Sequence, residues 1–297
     1  MKKVIILVVL GLFCENAVQA NDNEASRVEA TVQSEVLIGD INVNGKTKGV
    51  EQSGRIINGV PVSIEIYKFA VSLRVDNRYY CGGSIISVSH VLSAGHCVYP
   101  FLTNVSRMSI YGGSTSPFSG GISIPVIRAV NHPDYNPKPP FGIHDFDVAV
   151  LTVPRNALRG RPNMAPIAIQ NVQIPAGTRC YVVGWGWTDF NARTNPTELH
   201  YLNMAIVSQD SCASAYSQVN IWGINSNMIC AKGNQGTDTC KGDSGSALVC
   251  GGRLTGISSF TSSMCKTDLP AGLAKLTDPS IRSFICKETG VFMFTYV

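Results

Sequence analysis

The sequence is short of charge, and the charge it has is scattered. Only 15% of its 297 residues are Asp, Glu, Lys or Arg, and the net charge of +4 arises without any run of Lys or Arg. A nucleic-acid binder needs a basic stripe or patch, so nucleic acid is not an expected partner. No two cysteines stand at a CxxC spacing, which argues against a zinc ribbon or a redox motif. No apolar stretch reaches the roughly 20 residues that a bilayer span requires, so no membrane association is expected. Between Cys97 and Asn131 there is no Asp or Glu. Calcium takes several oxygen ligands with carboxylates among them, so that site is not expected either, nor any other metal or cofactor.

Glycine and proline, by contrast, are plentiful at 28 and 15 residues, which favours many short strands joined by turns. Apolar runs at 69–73, 84–86, 148–153, 181–183 and 254–257 alternate with Gly, Pro, Asn and Ser clusters, the texture of a β-barrel or sandwich. One late helix is expected. Asp278 can cap it, Pro279 suits its first turn, Ile281, Phe284 and Ile285 share a face, and Gly290 can end it.

The N-terminus reads as an export signal over 1–20: Lys2 and Lys3, an apolar core from Val4 to Phe13, and small residues ending at Ala20. Residues 21–55 are polar, lack cysteine and carry six acidic against four basic residues, too little apolar surface for a core. An exported chain meets an oxidising compartment, where thiols pair. With Cys14 assigned to the signal, nine of the ten cysteines remain. That odd number leaves one free or bonded to another chain.

Three patterns carry chemistry in chain order. They are Leu92-Ser93-Ala94-Gly95-His96-Cys97, then Asp147-Val148-Ala149-Val150-Leu151, then Lys241-Gly242-Asp243-Ser244-Gly245-Ser246. A serine hydroxyl is a poor nucleophile near neutral pH unless a base takes its proton, and a histidine held by a buried carboxylate is suited to that. An α/β-hydrolase elbow does not fit, because Ser246 stands where its second glycine belongs and the residue order differs. Together with Ile56-Ile57-Asn58-Gly59, Cys81-Gly82-Gly83-Ser84 and Gly184-Trp185-Gly186, these patterns resemble the chymotrypsin-like serine peptidases of the trypsin family, from Ile56 to about Lys287.

The resemblance implies an all-β fold of two antiparallel six-stranded barrels with a C-terminal α-helix, occupying 56–297 after a signal peptide (1–20) and an activation propeptide (21–55). It implies a secreted, monomeric serine endopeptidase in which His96, Asp147 and Ser244 are catalytic and the amides of Gly242 and Ser244 form the oxyanion hole. A cut between Arg55 and Ile56 by a trypsin-like protease would free an α-ammonium to pair with Asp243. Implied disulfides join Cys81 to Cys97, Cys180 to Cys250, Cys212 to Cys230 and Cys240 to Cys265, leaving Cys286 over as an inert thiol or an intermolecular link. Protein or peptide substrates, and protein inhibitors, are the partners. Asn104-Val105-Ser106 is a glycosylation sequon.

Substrate contacts are implied for Asp238, Thr239, Ser259, Phe260, Thr261 and Ala271. Asp238, six residues before Ser244, is the carboxylate that selects Arg or Lys in trypsin-like members. Thr261 and Ala271 stand where trypsins have glycine and would narrow the pocket as in elastase-like members, although Gly272 beside Ala271 could restore the space through a one-residue shift. A basic preference is expected, with elastase- or chymotrypsin-like specificity, or a non-catalytic homologue acting as a binding scaffold, as alternatives.

Overall fold

The computed structural model describes residues 59–139, 143–187, 195–233, 239–240, 242–261 and 269–291. All belong to the second of two compact units, Gly54–Val297. The expected signal peptide, propeptide, Arg55, Ile56, Asp238 and Cys265 lie outside the described residues.

Two antiparallel sheets form the fold. The first contains β2 (Ala70–Val75), β3 (Arg78–Ile85), β4 (His90–Ser93), β5 (Met108–Gly112), β6 (Ile122–Pro125), β7 (Arg128–Asn131) and β8 (Ala149–Thr152), in the order β6-β5-β2-β3-β4-β8-β7. Its first hairpin turns on Asp76 and Asn77, both at positive φ (49° and 63°). Asp and Asn tolerate that conformation, which matches the twist of paired strands. The second sheet contains β1 (Val60–Pro61), β9 (Arg179–Gly184), β10 (His200–Val207), β11 (Met228–Gly233), β12 (Ala247–Cys250), β13 (Arg253–Phe260) and β14 (Ala271–Lys275). Six of these close into a ring, β9-β10-β11-β14-β13-β12, because β9 also pairs with β10; β1 is added on β10.

The expectation of two six-stranded barrels is therefore met in the second half, while the first sheet has seven strands in open order. Its two ends are consecutive in the chain. Between β6 and β7, Val126 N–H donates to Met108 O (3.1 Å) on β5 and Ile127 N–H to Thr152 O (2.9 Å) on β8. Pro125 cannot donate to a ladder, and the chain changes partner beside it. β6 and β7 thus behave as two halves of one bent strand, which accounts for the seventh.

The α-helices among the described residues are α1 (Gly95–Val98), α2 (Gln209–Ser217) and α3 (Pro279–Thr289). The C-terminal helix forms as expected. Asp278 accepts from Ser280 N–H and Ile281 N–H, Pro279 occupies the first turn, and Gly290 closes the helix at φ 66°. Ile281, Phe284 and Ile285 are buried against the main core.

The bridges Cys81–Cys97, Cys180–Cys250 and Cys212–Cys230 are formed. One expectation is corrected. Cys286 is not left over: Cys240 and Cys286 are each disulfide-bonded, and no described cysteine is free. Cys81–Cys97 ties β3 to α1 across 16 residues of chain. Replacing both with Ala should lower stability by roughly 3 kcal/mol, the closure entropy of a loop of that length, seen as a reduced urea midpoint.

Candidate active site

α1 is a single turn, and what surrounds it is organised around one carboxylate. Asp147 precedes β8 and is 1% exposed. Its Oδ1 accepts the backbone N–H of His96 at 2.7 Å, an amide at the start of α1 that has no partner within the helix. Its Oδ2 accepts from His96 Nδ1, also at 2.7 Å, and from Ser259 Oγ on β13. Gly95 explains the Ala-Gly-His pattern: an added Cβ there would sit 3.1 Å from Asp147 Oδ1 and 3.0 Å from the Tyr135 ring.

The loop before Asp147 is fixed from both sheets. Phe146 adopts φ 48°, a conformation costly for a bulky residue, and its ring stacks on buried His132 (4.6 Å between centroids, 8° between planes). His132 in turn meets Phe284 of α3 edge-on, and its Nε2 is 3.1 Å from Ser280 Oγ. From the second sheet's side, the side-chain amides of Asn225 and Asn227 both donate to Asp145 Oδ1.

These contacts set the protonation of the pair. Burial alone would lower the His96 pKa, but the charge and hydrogen bond of Asp147 outweigh it and raise it above the ordinary value. Burial would raise Asp147; His96, Ser259 and the His96 amide outweigh that and lower it. His132 is shifted down, chiefly by burial.

Ser244 lies in the turn before β12. Gly242 (φ 96°) and Gly245 (φ 80°) flank it in the left-handed region that favours glycine. The Ser244 carbonyl accepts Gly82 N–H of β3 at 2.8 Å, and Gly245 N–H donates to Ser258 O at 2.8 Å. A Cβ on Gly245 would overlap Gly82 O and Ser93 Oγ, so the turn packs directly on the segment leading into His96. Among the described residues, no hydrogen bond joins His96 Nε2 to Ser244 Oγ; Nε2 lies 3.6 Å from Cys97 Sγ. Cys81, His96 and Cys97 cluster closely enough to suggest a metal site, but the two sulfurs are bonded to each other and offer no thiolate.

Between Gly242 and Ser244 the buried Asp243 carboxylate accepts Gly186 N–H and Cys240 N–H, both at 2.9 Å. A Cβ on Gly184 would fall 2.6 Å from Asp243 Oδ1, and one on Gly186 would overlap the carboxylate itself. Gly184-Trp185-Gly186 is thus a cradle for this side chain.

Thr239, Ser244, Ser258, Ser259, Phe260 and Thr261 help line a small cavity. β13 and β14 pair Phe260 with Gly272, and the Phe260 ring lies where a Gly272 side chain would be. Gly272 therefore accommodates Phe260. Ala271 is buried with Leu273 and Ala231 in the ring's apolar cluster.

A family model described as trypsin matches residues 56–285. The chain belongs to the trypsin family. It is 32% identical to Trypsin beta of Drosophila erecta over 233 residues, covering 78% of this chain and 87% of that protein. It is 33% identical to Trypsin alpha-4 of Lucilia cuprina over 207 residues, covering 70% and 77%. Among solved structures it is similar to mouse brain neuropsin, a serine protease, with a TM-score of 0.65 and 29% identity over 74% of this chain and 94% of that one. It is also similar to the scabies mite inactivated protease paralogue S-D1, with a TM-score of 0.69 and 25% identity over 79% and 98%. This trypsin-family chain is a serine endopeptidase.

Three contacts of this trypsin-family site were not legible in its motifs. Ser259, expected on the substrate strand, turns its hydroxyl to Asp147. His144 stacks on His96 at 5.6 Å, and Tyr79 reaches the Gly242 carbonyl. All three depend on pairings across the chain that no local spacing encodes. Asp147→Asn should lower kcat by about 10⁴-fold by presenting the wrong tautomer, measured by steady-state kinetics. His132 gives a stability prediction. Its folded pKa is depressed, so its contribution is complete above about pH 6.5 and lost as pH falls through the folded value. His132→Gln should flatten the acid-side decline in urea stability.

Proposed function

We propose that the chain is made as a secreted zymogen, activated by a trypsin-like protease at Arg55–Ile56, and that the activated form cleaves peptide bonds after Arg or Lys. The observation that carries the chemistry is the buried Asp147–His96 pair with its raised imidazole pKa, next to a serine in a turn that only glycines permit. In this reading His96 takes the proton of Ser244 as Oγ attacks the substrate carbonyl and returns it to the leaving amine. Asp147 holds the tautomer and stabilises the imidazolium. The amides of Gly242 and Ser244 bind the oxyanion, each lowering the barrier by a few kcal/mol.

The glycine cradle around Asp243 supports the activation step. A carboxylate only 1% exposed is costly to keep charged, and a cation beside it offsets much of that cost. The α-ammonium of Ile56 is such a cation, created by the cut. Secretion is supported by the disulfides. Among the described residues no helix is long and apolar enough to cross a membrane. Asn104, on the surface with its side chain accepting from Ser106 Oγ, is the proposed glycan site. The proposed active form is monomeric and open to protein inhibitors.

Specificity rests on Asp238 as the pocket floor. A second reading has its own support: Thr261 lines the small cavity and would admit short side chains in preference to Arg. The test is to cut the purified precursor with trypsin, remove the trypsin, and assay peptides differing only in the residue before the scissile bond. Cleavage after Arg and Lys, increased in Thr261→Gly, is expected. Turnover after Ala or Leu alone would overturn the basic preference. The similar mite protein is an inactivated paralogue, so the fold does not guarantee turnover. Absence of turnover on every peptide, with no labelling of Ser244 by a serine-directed phosphonate, would leave a binding scaffold.

A further inference from the structure

We infer that Tyr79 is a positioning residue of the oxyanion loop, its hydroxyl holding the Gly242–Asp243 peptide so that the Gly242 and Ser244 amides face the reacting carbonyl. The inference deepens the proposed function and rests on its assignment of those two amides.

β3 touches the Ser244 turn twice, three residues apart. Tyr79 Oη donates to Gly242 O at 2.6 Å, and Gly82 N–H donates to Ser244 O at 2.8 Å. The other side of the Gly242–Asp243 peptide is held as well, because Asp243 N–H donates to Cys240 O at 3.0 Å. A peptide plane bonded at both its N–H and its C=O cannot rotate without losing both bonds. Gly242 has no Cβ to restrict it and sits at φ 96°, so its orientation must come from such outside contacts. The Tyr79 ring is itself fixed, meeting Trp185 edge-on (6.4 Å, 70°); the Trp185 indole N–H donates to Thr115 O at 2.8 Å. Burial, and then the neighbouring Asp243 charge, hold the phenol well above its usual pKa. It therefore remains a donor throughout the range in which His96 titrates.

This placement separates two kinds of binding. In the proposed function the substrate backbone and side chain are held elsewhere, at 259–261 and in the cavity, whereas the Gly242 and Ser244 amides matter most once charge develops on oxygen. Loss of the Tyr79 hydroxyl should thus act on the transition state more than on the ground state.

The test is Tyr79→Phe in the full chain, cut at Arg55, a change that removes one oxygen and keeps the ring. Three quantities are measured: kcat, KM, and affinity for a peptide boronate that adds to Ser244 to give a tetrahedral adduct. Expected is a fall of about tenfold in kcat and in boronate affinity together, the size of one hydrogen bond, with KM and the acid limb of the pH profile unchanged. Wild-type kcat and boronate affinity in the variant would overturn the inference. So would a loss seen only in KM or in the urea midpoint, which marks a structural role. Wild-type protein without turnover or phosphonate labelling would overturn the proposed function, and the inference with it. An active wild type with an unaffected variant would overturn the inference alone.

Discussion

The hydrogen bonds between Asp147 and His96 are the interaction on which the rest of the site depends. A carboxylate buried to this degree is stable as an anion only if its oxygens are answered by donors, and here three answer it: the His96 ring, the His96 amide and the Ser259 hydroxyl. They come from both halves of the molecule, since His96 lies on α1 beside the first sheet and Ser259 lies on β13 in the closed ring. Asp147 therefore joins the two sheets as well as orienting the imidazole. The strained Phe146, pressed on His132, and the amides bound to Asp145 keep that carboxylate in place.

The second buried acid follows the same logic at the other end of the site. Asp243 is folded back beneath the Ser244 turn into a gap made by Gly184 and Gly186, where two backbone N–H groups receive it. Strand β3 then fixes the turn from the opposite side through Gly82 and Tyr79. Several glycines of the motifs stand where a side chain would collide with this arrangement. Gly82 would meet Ser246, Gly245 would meet Gly82 O, and Gly186 would meet Asp243. The motifs are the record of close backbone approaches that no other residue permits.

Much of this was legible in the sequence because it is local. The apolar runs became β2, β8, β9 and β13, and the Asp278-Pro279 to Gly290 pattern became α3 with the expected cap and stop. The order of His96, Asp147 and Ser244 carried the family. What was not legible depends on register or on distant pairing. Nothing near Ser259 shows that its hydroxyl will turn to a residue 112 positions away. That Gly272 makes room for the Phe260 ring depends on the register of β14 on β13, and a one-residue slip exchanges the faces of a strand. The bend at Val126–Ile127, which gives the first sheet its seventh strand, had no counterpart in the apolar runs.

The central claim is that Asp147 holds His96 in one tautomer and raises its affinity for a proton. It is tested most directly by proton NMR of the His96 Nδ1–H in the folded protein. A far-downfield resonance, titrating above the ordinary imidazole value of about 6.5 and lost in Asp147→Asn, is the predicted result. A His96 that titrates at or below that value in the intact protein, with no signal that depends on Asp147, would contradict the account.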